Sequence, residues 1–500
     1  MPPTSDREDI PPVTNTELLD WLDEQAAAFS SATTREHYLN SSGQKDDLSL
    51  APIYERHADL FRRDTVDRVL AVSAGDERLP HLRQFVVDGY LEQAVNVLVE
   101  ELAARETADT VAWDGDTLPY RAVQQRVMNE ADAARRHDLD ARRAEATAAQ
   151  NPLRERRWDA MYGQAHNLGF ESYAALCDNV GALDLDNLRA QMERFLADTE
   201  APYHERLARE LAAIGIAPNE AERSDLLRMF RSPELDSSFP RERMLPALQA
   251  SLQGLGIARA QSNVHLDTEE RPRKSPRAFC APVQIPDEIY LVISPHGGHD
   301  DYRALFHEAG HAQHFAHILP ELPFAFRGLG DNSVTEGFAF VLEHLLYSDA
   351  WLRRYLNFDD NAAYLSLVRF HRLYMLRRYA AKLLYELELH HGNDVRPNAE
   401  RYATVLSEHV GARYSAADYL SDVDGGFYCA RYLRAWIFDA QVRGWFARRW
   451  GNEWFVAPEA GVALRELWSQ GQRHAAEEIL RQLGESGLDM RPLAKELSTA

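Results

Sequence analysis

A chain of 500 residues, 45% hydrophobic and 27% charged, has the make-up of a globular protein able to bury a large core, as a two-lobed body or two to three intimate domains. Its formal charge of −23 argues against nucleic acid or an anionic membrane as partner, since either needs a basic face, though a local basic patch stays compatible with it. Cys177, Cys280 and Cys429 are odd in number and far apart, which predicts neither a disulfide framework nor a thiolate metal site.

The first dozen residues are polar, hold four prolines and read as a disordered lead-in. They lack an apolar signal core, and no later run reaches the ~18 apolar residues of a membrane span, so a cytoplasmic protein is expected. From Thr16 the spacing is helical: Leu18, Leu19, Trp21 and Leu22 open one stripe, Leu50 to Val72 a second and Leu91 to Leu102 a third. Asp114-Gly115-Asp116 with Pro119 reads as a turn between short extended pieces. The Arg-rich stretch from Tyr120 to Ala149 then predicts one long solvated helix. Asn151-Pro152 divides a helical N-terminal region, 1–150, from a second helical region, 151–500. Helical spacing continues through 154–167, 172–179, 185–214 and 225–230, with no fixed-period repeat.

Near residue 260 the texture changes. Residues 263–266 and 278–284 look extended, and Glu288 to Ile293 is the clearest strand, bounded by Pro286 and by Pro295-His296-Gly297-Gly298. A small sheet therefore runs into the helix that follows, and its edge could pair with an extended peptide through backbone hydrogen bonds. His296 and His299 read as solvated loop histidines.

The stretch Phe306 to His314, Phe-His-Glu-Ala-Gly-His-Ala-Gln-His, carries the chemistry. On a helix His307 and His311 share a face one turn apart, with room for one metal ion between them. Glu308 lies beside that ion rather than on it, placed to take a proton from water, and chance would give on the order of 0.06 such spacings in a chain of this composition. Gly310 costs about 1 kcal/mol inside a helix, which implies close approach by another element. A zinc site of this type needs a third protein ligand and an open fourth position. The next helical pattern, Asn332 to Tyr347, offers Glu336 as that ligand and Glu343 on the same face as a carboxylate able to orient a ligand histidine. Long helices follow over 362–391, 399–414 and 428–450. Tyr428 and Tyr432 share a face of the last, after the Gly425-Gly426 turn; aromatics so spaced commonly fill a core.

Residues 267–346, with 421–446, resemble the thimet oligopeptidase and oligoendopeptidase family of zinc metallopeptidases. The likeness lies in Asp267 to Cys280, an Arg/Lys-rich segment leading into a strand, in Phe306 to His314, and in Asp331 to Glu343 with its Glu-to-Glu interval. It extends to Gly425-Gly-Phe-Tyr-Cys-Ala-Arg-Tyr432 followed by Trp436. The resemblance implies a mostly helical, two-lobed metallopeptidase with a small β-sheet beside the active-site helix and zinc deep in a cleft that admits short unstructured peptides. It implies Zn²⁺ held by His307, His311 and Glu336, Glu308 as general base, and Tyr428 or Tyr432 stabilising the oxyanion. The sequence departs from the family where Asp422 stands in place of a histidine and where a tyrosine falls on Phe427 or Arg434. Two rival readings follow: a related zinc carboxypeptidase or dipeptidyl carboxypeptidase in which Arg431 or Arg434 grips a terminal carboxylate, and a non-catalytic peptide-binding protein retaining the fold.

Overall fold

The computed structural model describes residues 14–73, 75–257 and 261–498. The opening dozen, expected to be disordered, lie outside them. The described chain is mostly helical with two small sheets, as its periodicity implied.

The first long helix, Asn15–Ser41, starts at a capping box in which Thr14 accepts the Glu17 N–H while the Glu17 carboxylate accepts the Thr14 N–H. The stripe from Leu50 to Val72 is not one helix but three short pieces, Ala51–Arg56, Ala58–Phe61 and Arg63–Ala71, before the long helix Leu79–Ala108. A hairpin of Thr110–Trp113 and Asp116–Pro119 turns at Asp114 and Gly115, both with positive φ.

The Arg-rich stretch departs from expectation. It forms two helices, Tyr120–Asn129 and the first part of Ala133–Asn167, and Arg136 and Arg143 are buried rather than solvated. Arg136 pairs with Asp225, and Arg143 forks onto both Asp418 oxygens at 2.8 Å. Partners distant in sequence make the burial tolerable, and no local pattern announces them. The division drawn at residues 150 and 151 also falls inside the helix Ala133–Asn167, which accommodates Pro152 in its interior. Asn151 is anchored there by its Nδ2 bond to the Ala417 carbonyl, so this step marks no boundary between elements.

The two largest hydrophobic cores divide along other lines. One gathers residues from Leu18 to Met229 together with Phe370 to Ala440; the other gathers Phe239 to Val368 with Phe438 to Leu480. The helix Tyr428–Trp450 serves both, giving Phe427-side residues Cys429, Leu433 and Ile437 to the first and Phe438, Val442 and Phe446 to the second. A shift of this helix therefore disturbs packing on two sides.

The second sheet has Glu288–Val292 in the middle, parallel to Val264–Asp267 and antiparallel to Phe279–Gln284, which is an edge strand. Lys274 is buried and ties the sheet to its preceding loop, donating to the carbonyls of Asp267 (2.9 Å), Glu269 (2.9 Å) and Ile293 (3.0 Å). The first helix lies against this sheet: Tyr38 stacks on Tyr290 at 3.8 Å and Arg35 forks onto Glu288. All three cysteines are free. No helix among the described residues is long and apolar enough to cross a membrane.

Candidate metal centre

The helix His299–Ala316 begins after Gly298, and the Asp301 carboxylate steadies the entering loop by accepting the N–H groups of His296 (2.6 Å) and Gly297 (2.9 Å). His296 is exposed as expected, whereas His299 is not a solvated loop residue. It opens the helix, 17% exposed, with its ring against Phe239 and Tyr364. Tyr302, Leu305, Phe306, Ala309 and Ala312 bury one face. His307 and His311 lie together on a neighbouring face, ring centroids 4.9 Å apart.

Helix Asn332–Glu343 crosses this one at very close range. A Cβ on Gly310 would stand 2.5 Å from Ala339 Cα, which is the close approach that the glycine implied. Asp331 caps the crossing helix by accepting the Ser333 N–H at 2.9 Å, and Ser333 through Glu343 are all buried. The crossing sets Glu336 between the histidines: its Oε2 lies 3.2 Å from His307 Nε2 and 3.7 Å from His311 Nε2.

Each of the two histidines is oriented from behind. His307 Nδ1 meets Glu343 Oε2 at 2.9 Å, and His311 Nδ1 meets Thr335 Oγ1 at 2.9 Å. A carboxylate acceptor holds a proton of His307 on Nδ1 and turns Nε2 inward toward Glu336. Tyr347 donates to the other oxygen of Glu343 at 2.7 Å and Tyr428 to Glu336 Oε1 at 2.8 Å. Glu336 Oε2 is buried and has no partner apart from the ring nitrogens that face it. Such an oxygen is costly unless something positive faces it. His307, His311 and Glu336 offer one donor atom each within 4.8 Å of one another, and this nitrogen, nitrogen and oxygen set fits a divalent metal ion.

The charges in the metal-free site are strongly coupled. Burial alone would lower His307, but the Glu336 and Glu343 carboxylates, accepting from its two ring nitrogens, hold it up to about 10. Burial would raise Glu343; the bond and charge of His307, with Arg303 behind, bring it down to about 2. Burial and the neighbouring His307 push His311 down to about 4. His307 therefore carries its proton, which a bound metal ion would replace.

Glu308 points from the same helix toward the sheet. Its Oε2 accepts the N–H of Cys280 on the edge strand at 2.9 Å, and burial pushes its carboxyl up to about 7, against the pull of His307 and that N–H. Of the two tyrosines singled out by spacing, Tyr428 reaches the metal group. Tyr432 is held in aromatic packing by Phe340, Tyr379 and Trp436, with ring centroids at 5.7, 5.8 and 5.8 Å. Asp422 bonds Arg378 and Tyr402 in a separate ionic cluster, and Phe427 is a buried apolar residue with φ 52°. Arg434 is 3% exposed and spends its guanidinium on Asp331, Glu477, Ser333 and the Leu183 carbonyl. Arg431 is also buried, 3.8 Å from Asp331.

Sequence reasoning missed Thr335, Tyr347 and the Cys280 backbone. Tyr347 stands four residues beyond Glu343, a spacing that could have flagged it. Thr335 adjoins Glu336 without such a signal, and a backbone N–H carries none. No family model matches the chain, and no curated protein shows significant similarity to it.

Proposed function

We propose that this chain is a zinc-dependent peptidase that hydrolyses peptide bonds in short oligopeptides. The observation carrying the reading is the buried Oε2 of Glu336 facing the Nε2 atoms of His307 and His311, with the carboxyl of Glu308, next to His307 on its helix, raised by burial. Zinc favours such nitrogen and oxygen donors, and when bound it supplies a Lewis acid that acidifies water and polarises a carbonyl oxygen. His307, His311 and Glu336 hold it, while Glu343 and Thr335 keep the rings aimed. Glu308 accepts the proton of the attacking water and returns it to the leaving nitrogen, with the Cys280 N–H holding the carboxylate in place between the two transfers. Tyr428 turns its hydroxyl from Glu336 Oε1 to the oxyanion that forms at the scissile carbonyl. The edge strand Phe279–Gln284 supports an extended peptide beside Glu308, since backbone pairing tolerates many side chains.

A carboxypeptidase reading draws on one observation: Arg431 Nη1 is buried without a hydrogen-bond partner, whereas Arg434 is fully engaged. Both readings are tested by digesting a defined peptide mixture with and without chelator and weighing the products. An endopeptidase cleaves C-terminally amidated peptides as well as free ones; loss of cleavage on amidation favours the carboxypeptidase. Products that form equally with chelator, or undiminished by Glu308→Ala, rule out both.

A further inference from the structure

Away from the metal group, a cavity of about 350 Å³ is lined by five arginines, Arg121, Arg143, Arg154, Arg223 and Arg378. They come from helices Tyr120–Asn129, Ala133–Asn167, Arg223–Arg231 and Ala362–His391, so four elements far apart in sequence bring their guanidiniums to one place. Glu106, Asp418 and Asp422 share the wall, and Asp140 reaches Arg143 at 2.6 Å and Arg223 at 3.3 Å. Five arginines against these four carboxylates leave one cation in excess, in a chain of formal charge −23.

The carboxylates do not use up the donors. Arg378 gives Nη2 to Asp422, and its Nε and Nη1 form no hydrogen bond among the described residues. Arg223 gives Nη1 to Asp140 and Nη2 to Gln124 Oε1 at 3.1 Å, leaving Nε. Arg121 spends Nη2 on the Ala103 carbonyl and stands 3.8 Å from Glu106, leaving Nε and Nη1. Burial and Arg143 oppose the charge of Arg223 while Asp140 and Asp418 favour it and prevail; the N–H donors left over are what an anion with several oxygens would engage. The planar guanidinium fork, in the donors left over, matches the oxygens of a phosphoryl group. The volume suits a small ligand.

We propose that this cavity binds a small, multiply charged phosphate-bearing anion, its phosphoryl oxygens bridging Arg121, Arg223 and Arg378. The site does not depend on the peptidase reading. It does touch the same machinery: Tyr379, next to Arg378, stacks on Tyr432, and Asp422, the partner of Arg378, lies on the segment leading to Tyr428. If that reading also holds, occupancy will alter peptide turnover.

The test is calorimetric titration of the full chain with inorganic triphosphate and, separately, with a nucleoside triphosphate, at fixed ionic strength. One saturable site per chain is expected, weakened about tenfold or more by Arg121→Ala and by Arg223→Ala, each of which removes a charge-assisted contact. Arg121 is 55% exposed on its side chain, so its substitution leaves the fold intact and keeps the test decisive. Tighter binding of the nucleotide supports an ester ligand, and equal binding supports the free polyphosphate. Absence of saturable binding, or binding that survives both substitutions and so resides elsewhere, including at the metal group, overturns the proposal. A chain that binds triphosphate but cleaves no peptide refutes only the peptidase reading.

Discussion

Gly310→Ala isolates the contact that brings the ligands together. The added Cβ would meet Ala339 Cα at 2.5 Å and the carbonyl oxygens of Ala339 and Phe338 at 3.0 Å. All three are backbone atoms of the crossing helix and cannot rotate aside, so the helices must part by ~1 Å to restore an ordinary contact. Alanine gains about 1 kcal/mol of helix propensity over glycine, while overpacking costs ~1–3 kcal/mol and more where backbone is the obstacle. The expected balance is a net loss of ~1–2 kcal/mol in urea denaturation of the chelated protein. The larger effect falls on the metal, because His307 and His311 ride on one helix and Glu336 on the other, and a site tolerates only ~0.2 Å of ligand displacement. Affinity measured against a chromophoric chelator should fall more than about tenfold. Gly163 is the control: it is exposed within a helix and a Cβ there meets nothing within 4 Å, so Gly163→Ala should stabilise by up to ~1 kcal/mol. If Gly310→Ala behaves like Gly163→Ala, the two helices do not meet as described.

Other outcomes follow from the site's charges. Burial favours the protonated form of Glu308, so its share of stability in the metal-free chain is whole below the ordinary 4.5 and is lost as pH rises through about 7. Glu308→Gln keeps the neutral form and should flatten that part of the denaturation profile; an unchanged slope between those pH values would remove Glu308 from the buried site. His307 holds its proton up to about 10 in the metal-free chain, so metal binding at pH 8 should release about one proton, read by calorimetry in buffers of different ionisation enthalpy. Release of none would show that His307 is already neutral. Arg434→Met leaves the Asp331 and Glu477 carboxylates without their guanidinium, which should cost ~3–5 kcal/mol in denaturant. A loss under ~1 kcal/mol, with weaker binding of free C-termini instead, would mean that Arg434 faces substrate.

What could be read from the sequence depended on how local the cause was. His307, His311 and Glu308 follow from one helical turn, and Gly310 announced a crossing without saying which element crosses. Glu336 and Glu343 were placed on one face by their seven-residue interval, and the structure sets the first between the histidines and the second behind His307. The two short sheets appeared where extended spacing and turn residues coincided. Burial of Arg136 and Arg143 was illegible because Asp225 and Asp418 lie far along the chain, and mixed-charge helices usually face water. Tyr428 and Tyr432 share a face, yet the partners of that face differ along it: a ligand carboxylate for one, Phe340 and Trp436 for the other. The Asn151-Pro152 step lies inside one helix, because proline ends a helix only where tertiary packing does not hold it on both sides.

The central claim is that His307, His311 and Glu336 together bind one divalent ion. It is tested most directly by metal analysis of the chelated, zinc-reconstituted and dialysed protein beside Glu336→Ala and Glu308→Ala. One zinc per chain is expected in the parent and in Glu308→Ala, and little in Glu336→Ala. Equal zinc in all three, or none in the parent, would contradict it.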